Sequence, residues 1–222
     1  MIKNLIINFN MLNYLHELYP NSCKLVVLNK KDVLSITQSS FNVYIIISGV
    51  IQVGKLNLKN KITTLALLNN KHYYVLLSNN EYHIKSLTTS SILVIKIVNL
   101  SFLITKIPKL LPLILNGIHQ YQLLSEEFSL IYQYKTTYRK ILGLLLFLIK
   151  YFGNNIPQGI RISIRLSQTD IAQMLSSTRV SINRNLQILQ KLKSIQIMKG
   201  KIIIINPIYF IQMNQGNISS YS

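Results

Sequence analysis

Residues 166–189 read L-S-Q-T-D-I-A-Q-M-L-S-S-T-R-V-S-I-N-R-N-L-Q-I-L. Ser167 is a good helix N-cap, with Asp170 three positions on, close to a capping box with Asp in place of the usual Glu or Gln. Ile171, Met174 and Leu175 then supply the buried face of a first short helix. The polar turn S-S-T follows, and a second helix buries Val180 or Ile182, with Leu186 and Leu189. Two short helices joined by a tight turn form a unit that lays its second helix in the DNA major groove, N-terminal residues toward the base edges. The outward positions at that helix start are Thr178, Arg179, Ser181, Asn183 and Arg184. An arginine fork matches guanine O6 and N7. Arg179 and Arg184 stand about 140° apart around the helix, so one suits a base and the other a flanking phosphate. Ser167, Thr169 and Ser181 are short hydroxyl donors suited to phosphate oxygens.

The surroundings agree with an anionic partner. From Arg161 to the end there are eight Lys or Arg and one acid, Asp170, a net +7. The 222-residue chain as a whole carries 24 Lys and Arg against six Asp and Glu, a formal +18. Such a field favours polyanions, nucleic acid or an anionic membrane surface. An AT-rich genome, whose codons favour Lys, Asn, Ile and Tyr, raises the same charge and removes Trp. With 49% hydrophobic and only 14% charged residues, the chain can bury a sizeable core.

Downstream, I-Q-I-M-K-G-K-I-I-I-I reads as a hairpin turning at Lys199-Gly200, a wing placed to meet the phosphate backbone. Upstream, 138–152 reads as a helix with a broad apolar face, ended by Gly153 and the loop N-N-I-P-Q-G, before a short strand I-R-I-S-I. Thr136-Thr137 marks a helix break. Before it, Leu110, Ile114, Gly117, Tyr121, Leu124, Phe128 and Ile131 are spaced 4, 3, 4, 3, 4, 3. That is an a/d heptad stripe, the seam of a dimer or the inner face of a helix packed on its own domain. Its position between a β domain and a basic domain favours the dimer seam, where Gly117 permits close backbone approach.

Residues 24–105 read as short strands: K-L-V-V-L, V-Y-I-I-I, V-I-Q-V-G-K-L, T-T-L-A-L-L, Y-Y-V-L-L and S-I-L-V-I-K-I-V, punctuated by Asn, Ser, Gly and Lys. Their spacing predicts an antiparallel sandwich, barrel or roll. Ser48-Gly49 and the tract 57–61 read as hairpin turns, and no helix-period segment is expected before Pro108.

The residues 159–184, G-I-R-I-S-I-R-L-S-Q-T-D-I-A-Q-M-L-S-S-T-R-V-S-I-N-R, closely resemble the winged helix-turn-helix of the cyclic-AMP receptor/Fnr family of transcription factors. Within it they look most like the NtcA-type nitrogen-regulator branch of cyanobacteria and red-algal plastids. The resemblance is strong over 137–208 and collinear upstream, where V-Y-I-I-I-S-G-V-I-Q-V, residues 43–53, fits the family's β-roll. It implies an α+β chain: an N-terminal antiparallel β-roll at 1–106, a long dimerisation helix at 107–136, and a winged helix-turn-helix at 137–222. It implies a homodimer on double-stranded DNA, reading a palindrome of GTA and TAC half-sites through residues 168–187. Arg179, Val180 and Arg184 become the base readers, and RNA polymerase a further partner. Ser176 replaces a glycine usual in the family's turn, which should raise local strain. A plastid stroma is the implied compartment, with bacterial cytoplasm the alternative.

The resemblance also implies a sensor. The cyclic-nucleotide members hold a phosphate with an arginine; the matching region here, 73–83, has none, so cyclic nucleotide binding is not expected. The nitrogen-regulator branch implies 2-oxoglutarate, for which Val75, Leu76 and Glu126 are candidate positions; the roll arginine of that branch is missing here, with Lys85 the one nearby cation to substitute for it. Tyr121 stands where that branch carries an arginine, so two buried carboxylates would lack a partner cation.

Other classes are disfavoured by the residues themselves. The single cysteine, Cys23, excludes an intramolecular disulfide, and the four histidines have no metal-ligand spacing. There is no phosphate-cradling glycine motif and no nucleophile elbow, so no enzyme activity is expected. The longest apolar run, 141–149, is far short of the roughly 20 residues of a bilayer span. Lys3, Asn4, Asn8 and Asn10 interrupt any secretory signal, so a soluble protein without membrane attachment is expected. A nonspecific nucleic-acid or nucleoid-associated protein, held by charge alone, is the competing class.

Overall fold

The computed structural model describes residues 9–36, 42–56, 62–69, 73–77, 81–198 and 200–214. The expected turn at 57–61 and Lys199 of the expected wing turn lie outside them. The chain divides into two compact units, Met1–Ser125 and Glu126–Ser222.

Among the described residues of the first unit, eight strands form two four-stranded antiparallel sheets. They are β1 (Cys23–Leu28), β2 (Val33–Ile36), β3 (Asn42–Ser48), β4 (Ile51–Leu56), β5 (Ile62–Leu68), β6 (Tyr74–Leu77), β7 (Tyr82–Ser86) and β8 (Ser90–Lys96). One sheet has the order β1-β8-β3-β6 and the other β2-β7-β4-β5. This is the expected roll. Its β-branched strands fill the interior: Val43, Ile45, Ile47, Val75, Leu93 and Ile95 are buried in one cluster. Cys23 lies in the same cluster, where burial pushes its thiol up to about 11. A thiol so far above neutrality is unreactive.

Three expectations for this unit are corrected. Strands β2 and β7, V-L-S-I and Y-H-I-K-S, are additional to those expected. Each is short and mixes polar with apolar residues, and they gain strand structure by pairing Val33 with Lys85 through Ile36 with Tyr82. Helices do precede Pro108: α1 (Phe9–Leu18) and α2 (Leu100–Lys106), the latter after a 3-10 turn at Ile97–Asn99. They are short; α1 buries Leu12 and Leu15 in the core cluster and α2 only Leu103. Gly49, with φ of +88°, makes a turn, but one joining strands of different sheets and so not a hairpin.

Helix α3 (Leu110–Leu130) follows, and the heptad stripe takes the inner of its two expected roles. Leu110 and Ile114 belong to the β-roll core cluster. Tyr121 stacks edge-on against Tyr82 with ring centroids 6.3 Å apart. Leu124 is buried. Phe128 meets Phe147 perpendicularly at 5.3 Å, and Ile131, in the 3-10 turn Ile131–Gln133, is buried as well. Each of these stripe residues is thus buried or in contact within its own chain. The residues one position on, Leu111, Leu115, Ile118, Gln122 and Ser125, have the same 4, 3, 4, 3 spacing. Leu111 is 42% and Leu115 58% exposed.

Gly117 does permit a close approach, to β6 rather than to a partner. A Cβ there would lie 2.6 Å from Val75 Cγ2 and 3.2 Å from the Tyr73 carbonyl oxygen. Val75 is β-branched and fully buried, so it cannot swing aside. Overpacking of this kind costs about 1–3 kcal/mol, against about 1 kcal/mol of helix propensity gained by Ala over Gly. Gly117→Ala is therefore expected to destabilise the protein by up to about 2 kcal/mol, seen as a lowered Tm; a raised Tm would contradict the packing.

In the second unit, α4 (Thr137–Phe152) starts at the expected break, its N-cap Thr136 hydroxyl accepting from the Arg139 N–H at 3.3 Å. It buries Ile141, Leu142, Leu144, Leu145, Phe147, Leu148 and Phe152. Then come β9 (Gly153–Ile156), β10 (Gly159–Ile162), α5 (Gln168–Met174), α6 (Arg179–Lys191), β11 (Ile195–Met198), β12 (Lys201–Ile204) and α7 (Pro207–Asn214). The four strands make one sheet of order β11-β12-β10-β9. The segment 153–156, expected as loop, is a strand because its backbone pairs with 159–162 across a two-residue turn.

Candidate nucleic-acid interface

The two short helices form as the sequence indicates. Ser167 caps α5 in a complete capping box: its hydroxyl accepts from the Asp170 N–H at 3.0 Å while its own N–H donates to the Asp170 carboxylate at 3.0 Å. The Ser167 hydroxyl also donates to that carboxylate at 2.6 Å. The hydroxyl expected to meet a phosphate is therefore committed to holding α5, as is the one acid of the segment. Thr169, one position into the helix, is exposed.

The turn between α5 and α6 is fixed from several sides. The Ser177 N–H donates to the Ala172 carbonyl at 2.9 Å. The Tyr132 hydroxyl donates to the Met174 carbonyl at 2.6 Å, satisfying a helix-end acceptor that would otherwise be left over. Tyr132 is a positioning residue that sequence reading missed, since nothing local to it signals a partner 42 positions away. Ser176 sits at φ of +50°, the left-handed region that a Cβ disfavours. The glycine expected there would relieve this while adding unfolded-state freedom. Ser176→Gly is thus expected to stabilise by about 0.5–1 kcal/mol, raising Tm with DNA affinity unchanged; a fall in Tm would show that Ser176 is unstrained.

Helix α6 is capped by Thr178, whose hydroxyl accepts from the Ser181 N–H at 3.2 Å. No acid occupies its first turn, so its positive dipole end is left for an external anion. The buried face is Ile182, Leu186 and Leu189. Of the two alternatives for the first buried position the structure selects Ile182, and Val180 is turned outward, 79% exposed. At 100° per residue, Val180, Arg184, Gln187 and Lys191 share the side opposite the buried face, and all four are exposed. Arg179, the first helical residue, is exposed too, about 140° around the helix from Arg184 and so off that face. Asn183 has a second task. Its side-chain oxygen accepts from Gln168 Nε2 at 2.8 Å, strutting α6 against the start of α5. Ser181 is half-buried and its carbonyl accepts from Asn185 Nδ2 at 2.8 Å.

Arg161, Arg165, Lys191 and Lys193 are exposed. The expected wing is the β11–β12 hairpin, pairing Ile195 with Ile204 through Met198 with Lys201, and Gly200 at its turn has φ of +75°.

The positions matched to an effector are distributed otherwise. Val75 and Leu76, on β6, are fully buried, Val75 directly beneath Gly117. Lys85 is on β7 of the other sheet, opposite Val33 and Gln52. Glu126 is exposed and belongs to the second unit. Among the described residues no group of three or more His, Cys, Asp or Glu is placed to hold a metal ion, and no helix is long and apolar enough to cross a membrane.

Comparison with known proteins agrees with this geometry. Residues 139–209 match the model of the Crp-like helix-turn-helix domain. The chain is 28% identical over 173 residues to the global nitrogen regulator of Synechocystis sp., covering 75% of this chain and 77% of that one. It is 33% identical over 101 residues to the global nitrogen regulator of Synechococcus elongatus, 46% of either chain. Among solved structures, a CooA variant from Carboxydothermus hydrogenoformans superposes with a TM-score of 0.71 at 19% identity, over 86% of this chain and 88% of that one. A CRP-family transcriptional regulator from Thermus thermophilus superposes with a TM-score of 0.67 at 14% identity, over 89% and 100%. An antiparallel β-roll, a long helix and a winged pair of short helices, in that order, give this chain the fold of those solved structures, with a Crp-like helix-turn-helix domain over residues 139–209.

Proposed function

We infer that this chain is a sequence-specific DNA-binding transcription regulator acting as a homodimer on a palindromic site. The observation that carries the reading is the exposed face of α6, where Val180 and Arg184 stand opposite the buried Ile182, Leu186 and Leu189, with Arg179 at a capped, acid-free helix start. Arginine forks suit guanine edges, and an exposed β-branched side chain suits a thymine methyl. Thr169, Thr178, Ser181 and Asn183 flank them, for phosphate contact through hydroxyls, amides and the helix start.

The second copy is taken up along 107–136, through the outer stripe of α3 rather than the inner one. Leu111 and Leu115 offer exposed apolar knobs one turn apart, and a parallel pair of such helices closes a two-fold seam. Two recognition helices about 34 Å apart then meet successive major-groove faces of one palindrome. Similarity to global nitrogen regulators supports control of nitrogen-responsive genes, with RNA polymerase as the protein partner. The β-roll acts as the dimer's scaffold, supported by the burial of Val75 and Leu76, with 2-oxoglutarate the ligand class to assay against it. An AT-biased composition together with cyanobacterial relatives supports a plastid stroma.

A spacing series tests the dimeric reading. Inserting about five base pairs, half a helical turn, between the half-sites puts them on opposite faces of the duplex. Affinity is expected to fall to that of a single half-site. A charge-only nucleoid-type binder would bind the whole series alike, following only the salt concentration.

A further inference from the structure

Helix α6 offers the groove more than its arginines. Val180, Arg184, Gln187 and Lys191 follow each other at 4, 3 and 4 positions, so they lie within about 60° of one another around the axis. Each differs in chemistry. Val180 is an apolar contact, Arg184 a fork, and Lys191, in the last turn, a point charge suited to a phosphate. Gln187 alone is a neutral amide. It stands about 10 Å along the axis from Val180 and about 5 Å from Arg184, a spacing of one to three base-pair steps from the other two.

Three other amides of α5 and α6 have work within the fold. Gln168 donates to Asn183, and Asn185 donates to the Ser181 carbonyl. Gln187 is exposed, and no hydrogen bond among the described residues engages its side chain. A glutamine amide carries a donor and an acceptor in one plane, the pattern that complements N7 and the N6 amino group of adenine. A position serving only to neutralise phosphate is better filled by a cation, as Lys191 shows one turn on. Resting on the DNA-reading assignment above, we propose that Gln187 is a further specificity-determining residue, pairing with N7 and N6 of one adenine in each half-site.

The experiment compares full-length wild type with Gln187→Leu, which keeps the volume and removes both polar groups, on palindromes carrying GTA and TAC half-sites. Each adenine in and beside the half-sites is replaced in turn by 7-deazaadenine, which lacks the N7 acceptor, or by another base pair. Wild type is expected to lose about five- to hundredfold in affinity at one adenine position. Gln187→Leu should bind the parent palindrome with that same loss and be indifferent to changes there, while still discriminating at the guanines. The proposal is overturned if Gln187→Leu binds every duplex as wild type does, or loses affinity equally on palindrome and scrambled DNA. If wild type itself does not distinguish palindrome from scrambled duplex, the DNA-reading assignment fails and Gln187 fails with it. A wild type that discriminates at guanines but not at any adenine removes Gln187 alone.

Discussion

Replacing Arg179 or Arg184 with alanine is expected to lower affinity for the palindrome by about 1–3 kcal/mol, roughly five- to more than a hundredfold, and to flatten preference at one base pair of each half-site. The size follows from what is lost. A guanidinium fork makes two charge-assisted hydrogen bonds to one guanine, and truncation leaves those acceptors facing water or nothing. Neither arginine is spent inside the protein in a way that truncation would disturb: both are exposed on α6, and its core contacts come from Ile182, Leu186 and Leu189. Thermal stability should therefore stay within about 0.5 kcal/mol of wild type. In a homodimer each substitution acts twice, so the loss on a full palindrome should exceed that on a single half-site. Equal loss on specific and random duplexes would show that the substituted arginine touches phosphate only. The two arginines stand about 140° apart, so the variants are separate tests.

Leu115→Glu is expected to dissociate the dimer while leaving the monomer folded. Leu115 is 58% exposed in one chain, so a carboxylate there is hydrated in the monomer. In the seam it would displace two buried leucines, each worth about 1.5–3 kcal/mol, and bring like charges together at the two-fold axis. Dimerisation should weaken by at least about a hundredfold, read by sedimentation, and binding to the palindrome should weaken with it. Tyr121→Glu makes the contrast. Tyr121 packs on Tyr82 within its own chain, where burial already pushes the phenol well above the usual tyrosine range. A carboxylate at that place should lower Tm rather than act first on the dimer. If Tyr121→Glu dissociates a folded dimer and Leu115→Glu does not, the inner stripe is the seam after all.

That reversal illustrates what periodicity can tell. Spacing alone located one apolar stripe of α3 but not what it meets, and it passed over Leu111 and Leu115, which repeat the spacing of Leu110 and Ile114 one position on. Which stripe meets the β-roll depends on the close approach at Gly117, a feature of tertiary geometry. The helix pair α5–α6 was legible because its signals are local: an N-cap, an acid three positions on, a polar turn and apolar residues at helical spacing. Strands β3, β4, β5 and β8 were legible as β-branched runs. Strands β2 and β7 were not, since V-L-S-I and Y-H-I-K-S owe their structure to each other across 48 residues, as Ser35 and His83, hydrogen-bonded at 3.2 Å, exemplify. At the interface, sequence reading named Arg179, Val180 and Arg184 but could not see that Ser167 and Asn183 are engaged by Asp170 and Gln168. Nor did it single out Gln187, whose outward direction is set only once Ile182 rather than Val180 is known to be buried.

The central claim, that this charged surface reads bases, is met most directly by fluorescence anisotropy of the full-length protein on a GTA/TAC palindrome and on a scrambled duplex of equal composition, at about 150 mM salt. The expected result is a preference for the palindrome of about a thousandfold. Equal binding to the two duplexes, weakening together as salt rises, would contradict it and leave the chain as a binder of nucleic acid by charge alone.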